Sequence, residues 1–234
     1  MSKKQTIKFG DMVDIKGITK NQNDVLKEYK KGKCLFLYGV AGTGKTFITL
    51  YSAMKEVLDD KSPHNRVYLV RSLMPTREIG FLPGDEEDKS ALYQVPYDNM
   101  LRFMFKMPTD DQFDMLYERL KMQGSLMFLS TSFLRGITLD NGIIIVDECQ
   151  NLNFHELDTI ITRVGQDSKI MFCGDFDQTD LVKQNEKNGL HDFLRILEEM
   201  KEFNCTEFTI GDIVRSGFVR SYLINKTKMG IGTE

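Results

Sequence analysis

Short apolar runs alternate with longer amphipathic stretches along the whole chain. Six of these runs predict strands, at 34–38, 67–70, 126–129, 143–146, 169–173 and 207–210, the last of them at a sheet edge. Helical spacing of apolar residues is clear at about 45–58, 154–164, 190–200 and 212–224. Strands that alternate with helices are typical of a mostly parallel sheet covered by helices on both faces. The pattern therefore predicts an α/β fold with three layers.

A long segment, 74–123, separates the second and third predicted strands and is rich in Met and Phe. So long a connection without its own structure is uncommon, so we interpret it as a helical insertion packed at one end of the sheet. Its methionines are candidates either for the core or for an exposed apolar surface: Met100, Met104, Met107, Met115 and Met122. Since no repeat or Pro/Ser-rich linker interrupts the sequence, residues 1–234 are predicted to form a single domain.

The composition is that of an ordinary globular protein. The chain has 234 residues, of which 41% are hydrophobic, and 31 basic against 34 acidic residues give a net charge of −3. No apolar run is long enough to span a membrane and the first residues do not resemble a signal peptide, so we expect a cytoplasmic protein with no membrane partner. The cysteines lack zinc-ligand spacing and are expected to be buried, reduced thiols: Cys34, Cys149, Cys173 and Cys205.

Basic residues are densest at Lys27, Lys30, Lys31 and Lys33, just before the first predicted strand. A mildly acidic chain is a poor general binder of nucleic acid, but a local basic patch can still bind it. This stretch is either such a patch or the solvated end of a helix.

The strongest chemical signal is the segment 39–46, Gly-Val-Ala-Gly-Thr-Gly-Lys-Thr, which follows a predicted strand and opens a helix. Glycines allow the backbone to wrap a phosphate, to which the N–H groups and the helix N-terminus are favourable. Lys45 would reach the β- and γ-phosphates, and the Thr46 hydroxyl would bind Mg²⁺. The predicted nucleotide contacts are Ala41, Gly42, Thr43, Gly44, Lys45 and Thr46.

Two carboxylates, Asp147 and Glu148, follow the apolar run at 143–146. The carboxyl end of a parallel strand is where open α/β sheets bind ligands. Asp147 can hold Mg²⁺ there, while Glu148 can orient and deprotonate the attacking water. Because nucleotide binding alone does not need the second acid, the pair indicates hydrolysis.

The third chemical signal follows the apolar run at 169–173, which is succeeded by Gly174, Asp175 and then Gln178. A neutral amide at this place can contact the γ-phosphate or the attacking water without repulsion. Glu148 and Gln178 both suit the activation of water, which disfavours a small-molecule kinase that uses the same phosphate loop.

In this order, the three motifs resemble the nucleotide-binding core of superfamily-one helicases, and the flanking segments narrow the resemblance to the PhoH-like family of ATPases. The matching segments are 39–46, Arg71 with 80–84 (Gly-Phe-Leu-Pro-Gly), 133–139, 146–151, 162–165, 174–181 and 212–215 (Asp-Ile-Val-Arg). The resemblance covers about 22–223. It implies a RecA-like P-loop NTPase that uses ATP and Mg²⁺ and acts on RNA or single-stranded DNA.

The same resemblance places Gln22 at the adenine edge, where an amide can donate and accept at once. The alternative is that Gln22 is an exposed residue at a helix start.

A complete helicase needs two ATPase-type lobes, and this sequence predicts one. The resemblance implies a homo-oligomeric ring of six subunits, in which Arg215 or Arg220 would reach a neighbour's nucleotide as an arginine finger. Alternatively, Arg215 pairs locally with Asp212, three residues earlier. The other function that the sequence leaves open is a nucleotide-gated regulatory module that binds a protein and does not translocate on nucleic acid.

Overall fold

A single parallel sheet forms the centre of the computed structural model, which describes residues 7–72, 86–134, 136–175 and 184–229. Its strands are β1 (Cys34–Gly39), β2 (Arg66–Arg71), β3 (Leu126–Ser130), β4 (Gly142–Val146), β5 (Lys169–Cys173) and β6 (Phe203–Phe208). The strand order is β3-β2-β4-β5-β1-β6, and every neighbouring pair is parallel. The α/β prediction, with the sixth strand at an edge, is confirmed.

Helices cover both faces of this sheet. They are α1 (Lys20–Lys30), α2 (Lys45–Val57), α3 (Glu86–Phe105), α4 (Asp110–Gln123), α5 (Phe154–Ile161), α6 (Gln184–Glu198) and α7 (Gly217–Lys228). Side chains of α1 to α4 share one buried apolar cluster with Leu35, Leu37 and Ile145, while α5 and α6 pack on the other face against Phe36 and Phe172. Alternate strand residues thus face alternate clusters, as a sheet buried on both sides requires.

The insertion between β2 and β3 forms the helices α3 and α4, as predicted. Met104 is fully buried in the core, and Met100 and Met107 are packed against it. In contrast, Met115 and Met122 on α4 are 59% and 68% exposed. The methionines therefore serve both of the roles that the sequence left open.

Two predicted element boundaries near the C-terminus of the chain were wrong. The last strand is Phe203–Phe208 rather than 207–210, and α7 begins at Gly217 rather than at 212. Residues Ile210–Asp212 form a short 3-10 helix instead, because the Asp212 carboxylate accepts hydrogen bonds from the backbone N–H and hydroxyl of Thr209. This local capping stops the strand and delays the helix.

Of the four free cysteines, Cys149 and Cys173 are buried as expected, whereas Cys34 and Cys205 are only half-buried. The basic stretch lies at the end of α1, where Lys27 pairs with Asp24 and Lys31 with Glu28 across exposed helix turns. This arrangement favours the solvated helix end. No helix in the described ranges is both long and apolar enough to cross a membrane.

Candidate functional site

Three strand ends bring the predicted site residues to one edge of the sheet. Gly39 ends β1, Val146 ends β4 and Cys173 ends β5. These strands lie side by side in the order β4-β5-β1 and are parallel, so their carboxyl ends meet. The phosphate loop, the acidic pair and the Gly174–Asp175 turn therefore lie together at the edge of the sheet where open α/β folds bind ligands.

The phosphate loop holds its own lysine in place. Lys45 is the first residue of α2, and its Nζ donates to the carbonyl oxygens of Gly39 at 2.7 Å and Val40 at 2.9 Å. The Thr43 hydroxyl also donates to Val40 O, at 3.0 Å. Burial lowers the pKa of Lys45, although Asp175, Cys173 and the acidic pair oppose that shift. The ammonium group therefore lies in a site where it gains from an added anion.

The segment after β6 packs directly on this loop. Gly42 has a φ of +73°, and a Cβ at this position would lie 2.9 Å from Arg215 Cγ and 3.1 Å from Leu223 Cδ1. Glycine is thus required both by the backbone conformation and by the close approach of these side chains. The Val214 N–H donates to Gly42 O at 3.0 Å. Arg215 therefore lies on the phosphate loop of its own chain, with much of its side chain exposed.

The alternative in which Arg215 and Asp212 share one helix face is wrong, because Asp212 precedes α7 in the short 3-10 helix. The buried Asp212 carboxylate instead accepts from Asn21 Nδ2 at 2.8 Å and from the N–H of Thr209 at 3.0 Å. Arg220 is exposed on α7.

Thr46 and Asp147 face each other across the site. The Thr46 hydroxyl donates to Asp147 Oδ1 at 2.7 Å, and Tyr97 of α3 donates to Oδ2, also at 2.7 Å. Burial raises the pKa of the Asp147 carboxyl, and the charge of Glu148 adds to the effect, against hydrogen bonds from Tyr97 and Thr46 and the charge of Arg71. Asp147 is 5% exposed, so this carboxylate gains from a nearby cation.

The chemistry of this pair fits Mg²⁺. One hydroxyl and one carboxylate oxygen, 2.7 Å apart, are hard oxygen donors, and Mg²⁺ is usually held by a few such protein ligands together with phosphates and water. Thr46 and Asp147 would hold the ion. Nowhere in the described ranges, this site included, do three or more His, Cys, Asp or Glu side chains form a group that could hold a metal, so any Mg²⁺ here would also need phosphate and water ligands.

Glu148 is held in an uncommon backbone conformation by its neighbours. Its φ of 52° and ψ of 41° are left-handed, which is rare for a residue other than glycine. The Gln150 amide donates to Glu148 Oε2 at 2.5 Å, while Gln150 Oε1 accepts the Asp175 N–H at 3.1 Å. A Cβ at Gly174 would lie 2.6 Å from Cys149 Sγ and 3.1 Å from Gln150 Oε1, so glycine permits this close packing. The arrangement links the acidic pair to the end of β5.

Gln22 is buried, so the alternative of an exposed residue at a helix start is wrong. Its Nε2 donates to the carbonyl oxygen of Thr43 at 2.9 Å, and its Oε1 accepts the Ile18 N–H at 2.7 Å. Gln22 thus braces the phosphate loop from α1. The contact with adenine stays a prediction.

Some predicted features lie outside the described part of the chain, namely Gln178, the segment 80–84 and position 135 of the matching segment 133–139. Conversely, sequence reasoning assigned no role to Tyr97 or Gln150. Gln150 lies within a segment that carried the family resemblance, which was an available signal. Tyr97 had none, because its position depends on how the insertion folds back on the sheet.

The sheet order, the phosphate loop at the end of β1 and the acidic pair at the end of β4 define a RecA-like P-loop NTPase fold. The model of the family described as PhoH-like protein matches residues 14–225. The chain belongs to this PhoH-like family.

Relatives from several bacteria match the chain at similar levels. It is 34% identical to Protein PhoH2 of Bacillus subtilis (strain 168) over 62% of this chain and 32% of that protein. It is 33% identical to a PhoH-like protein of Synechocystis sp. over 90% of this chain and 61% of that protein. A PhoH-like protein of Bacillus subtilis is 30% identical over 94% of this chain and 70% of its own length. The chain therefore spans less than two thirds of the first two relatives.

Solved structures with a similar fold are more distant. The large terminase of a thermophilic bacteriophage in complex with ADP has 15% identity and a TM-score of 0.48, over 89% of this chain and 49% of that chain. Unliganded Pif1 from Bacteroides sp. has 15% identity and a TM-score of 0.44, and the match covers 92% of this chain and 46% of the Pif1 chain.

Proposed function

We propose that this protein is a Mg²⁺-dependent ATPase whose cycle acts on RNA or single-stranded DNA. The observation that carries the proposal is the contact at 2.7 Å between Thr46, directly after the phosphate-loop lysine, and Asp147 at the end of β4. A fold that only needed a turn after β1 would not require a buried carboxylate opposite that turn.

Each residue has a distinct part in the proposed hydrolysis. Loop N–H groups and Lys45 would bind the β- and γ-phosphates. Thr46 and Asp147 would hold Mg²⁺, which when bound would neutralise charge on the phosphate oxygens. Glu148, oriented by Gln150, accepts a proton from a water molecule while the oxygen of that water attacks the γ-phosphorus. The bond between that phosphorus and the β,γ-bridging oxygen breaks, and ADP leaves. Gln178 is proposed to contact the γ-phosphate or this water.

Arg215 is proposed to act on the nucleotide of its own subunit. Its side chain lies against Gly42, so the guanidinium is close to the loop that would bind phosphate. A cation placed there favours the charge that develops on the transferred phosphoryl group.

The proposal extends to a homo-oligomeric ring, for which six subunits are implied by the helicase-like resemblance. It is supported by α7, none of whose residues is buried. Phe218 is 86% exposed and Tyr222, one turn later, is 62% exposed. A second copy of the chain would cover these aromatic side chains and bring Arg220 towards an adjoining subunit. The free cysteines and the requirement for ATP fit a protein of the cytoplasm.

A nucleotide-gated module that binds a protein is the second candidate. It is favoured by exposed apolar side chains on the insertion, where Phe103 is 65% exposed and Met115 and Met122 are also exposed. In this candidate, ATP hydrolysis changes the affinity for a protein partner instead of remodelling nucleic acid.

One measurement separates the two candidates. ATP hydrolysis is measured with Mg²⁺, alone and with added RNA or single-stranded DNA, for the wild-type protein and Lys45→Ala. We expect hydrolysis that depends on Mg²⁺, rises with one of the nucleic acids and is lost in Lys45→Ala. Hydrolysis that no nucleic acid stimulates would favour the protein-binding module, and no hydrolysis under any condition would overturn the ATPase proposal.

A further inference from the structure

A tyrosine from the insertion reaches the predicted magnesium site. Tyr97 belongs to α3, far from every nucleotide motif in the sequence, yet its hydroxyl donates to Asp147 Oδ2 at 2.7 Å. The other carboxylate oxygen, Oδ1, accepts from Thr46. The two hydrogen bonds together fix the orientation of the Asp147 carboxylate about its Cβ–Cγ bond.

The tyrosine is itself held on several sides. It is 1% exposed, and its ring packs against that of Phe128 on β3, with centroids 5.8 Å apart. The guanidinium of Arg71, at the end of β2, lies beside the Tyr97 hydroxyl and the acidic pair, and these neighbours raise the pKa of Arg71 against the effect of burial. Tyr97 is therefore packed on its ring and hydrogen-bonded at its hydroxyl, with a guanidinium as well as a carboxylate as neighbours.

We propose that Tyr97 is a positioning residue for Mg²⁺, and that it makes the insertion part of the nucleotide site. This inference rests on the proposed ATPase function and deepens it. By occupying Oδ2, Tyr97 leaves Oδ1 as the oxygen that faces Thr46 and the metal. Groups that orient a metal ligand in this way are typically worth about 10–100-fold in metal affinity.

The arrangement also gives the insertion a direct influence on the site. Tyr97 is anchored in a helix whose other buried residues, Leu101 and Met104, pack in the core. A displacement of α3 would move the hydroxyl away from Asp147 and weaken the hold on the carboxylate.

The test uses Tyr97→Phe, which removes one oxygen atom and keeps the ring. Affinity for a fluorescent ADP analogue is measured without a metal and across a Mg²⁺ titration. We expect unchanged affinity without Mg²⁺ and a Mg²⁺ half-saturation concentration that is about tenfold higher than in the wild-type protein. If Tyr97 only filled the core, the substitution would change both the metal-free affinity for the analogue and the Mg²⁺ half-saturation concentration, or neither of them.

Tyr117→Phe is the matched control. Tyr117 lies on α4, and its hydroxyl donates to Gln94 of α3 at 2.7 Å, so it tests the loss of a hydroxyl within the insertion but away from Asp147. An unchanged Mg²⁺ titration in Tyr97→Phe would overturn the inference, as would an equal shift in Tyr117→Phe. If the wild-type protein did not bind the analogue at all, the proposed function itself would fail.

Discussion

Glu148 combines a strained backbone with a fixed carboxylate. A left-handed residue that is not glycine costs of order 1–3 kcal/mol and persists only where its surroundings demand it. The Glu148 carboxylate accepts from the Gln150 amide at 2.5 Å, and Gln150 is itself bonded to the backbone of Asp175. Strain of this kind at the end of a strand is expected where a side chain must be aimed at a reacting group.

Glu148→Gln is expected to keep ATP bound and to lower turnover by about 10²–10⁴-fold, because the amide fills the same space but cannot accept a proton from water. Nucleotide affinity and single-turnover hydrolysis are the measurements. Lys45→Ala serves as the contrast, because it should weaken the binding of nucleotide as well as stop hydrolysis. Turnover near the wild-type rate would remove Glu148 as the base.

At this scale, sequence motifs predicted the placement of residues whose positions depend on local geometry. Lys45 and Thr46 follow a glycine-rich turn, and Asp147 ends an apolar strand, so their positions depend on neighbours in the chain. The contacts of Tyr97 with Asp147 and of Gln150 with Asp175 are made across the fold, so their partners cannot be read from sequence spacing. For the same reason the sequence left open whether Gln22 is buried, since its burial depends on α1 packing against the phosphate loop.

At the scale of elements, a charged cluster joins α2 to the opposite end of the sheet. Glu56 near the end of α2 accepts from Lys169 Nζ at 2.8 Å and lies 2.7 Å from His64 Nδ1. Lys169 is the first residue of β5, and its Nζ lies 4.6 Å from the centre of the Tyr29 ring. Burial alone would raise the pKa of Glu56, but the bonds from Lys169 and the other neighbours lower it below its ordinary value of 4.5.

Glu56→Gln is expected to lower the free energy of unfolding by about 1–3 kcal/mol at neutral pH, because Lys169 loses its charged partner. A lowered pKa in the folded state gives stability above the pKa of the unfolded state, and this stability is lost as the pH falls through the folded value. The difference between the two proteins should therefore shrink below about pH 4.5. Urea unfolding at several pH values measures it.

The control for this prediction is Glu118→Gln, which breaks an exposed pair with Lys121 on α4. It should leave the unfolding free energy unchanged, since exposed pairs contribute little. A pH-independent loss of stability in Glu56→Gln would show that packing, rather than charge, explains the effect.

Elements were predictable where an apolar run was long and was bounded by turn residues. The central strands β1, β4 and β5 are of this kind, because both of their faces are buried. The edge strand β6 is less apolar, with mostly half-buried residues, so its start was missed. The predicted helix at 212 failed because a carboxylate that caps its own backbone cannot be recognised from periodicity.

At the scale of the whole molecule, the placement of Arg215 can be tested by mixing inactive proteins. Lys45→Ala and Arg215→Ala damage the same site if Arg215 acts within its own subunit, so we expect no recovery of ATP hydrolysis when they are mixed. Lys45→Ala mixed with Arg220→Ala should recover activity, because Arg220 is proposed to serve an adjoining subunit. Recovery with Arg215→Ala would instead assign that arginine to a neighbour's nucleotide.

The strand order has a consequence for how the chain folds during synthesis. β1 carries the phosphate loop and lies between β5 and β6, the last two strands to be made. In contrast, β2, β3 and β4 can pair among themselves before β5 and β6 have been synthesised. The nucleotide site therefore forms late, after long-range parallel pairing that is inherently slow. A nucleotide that binds at the phosphate loop would therefore not guide early folding and would stabilise only the assembled sheet.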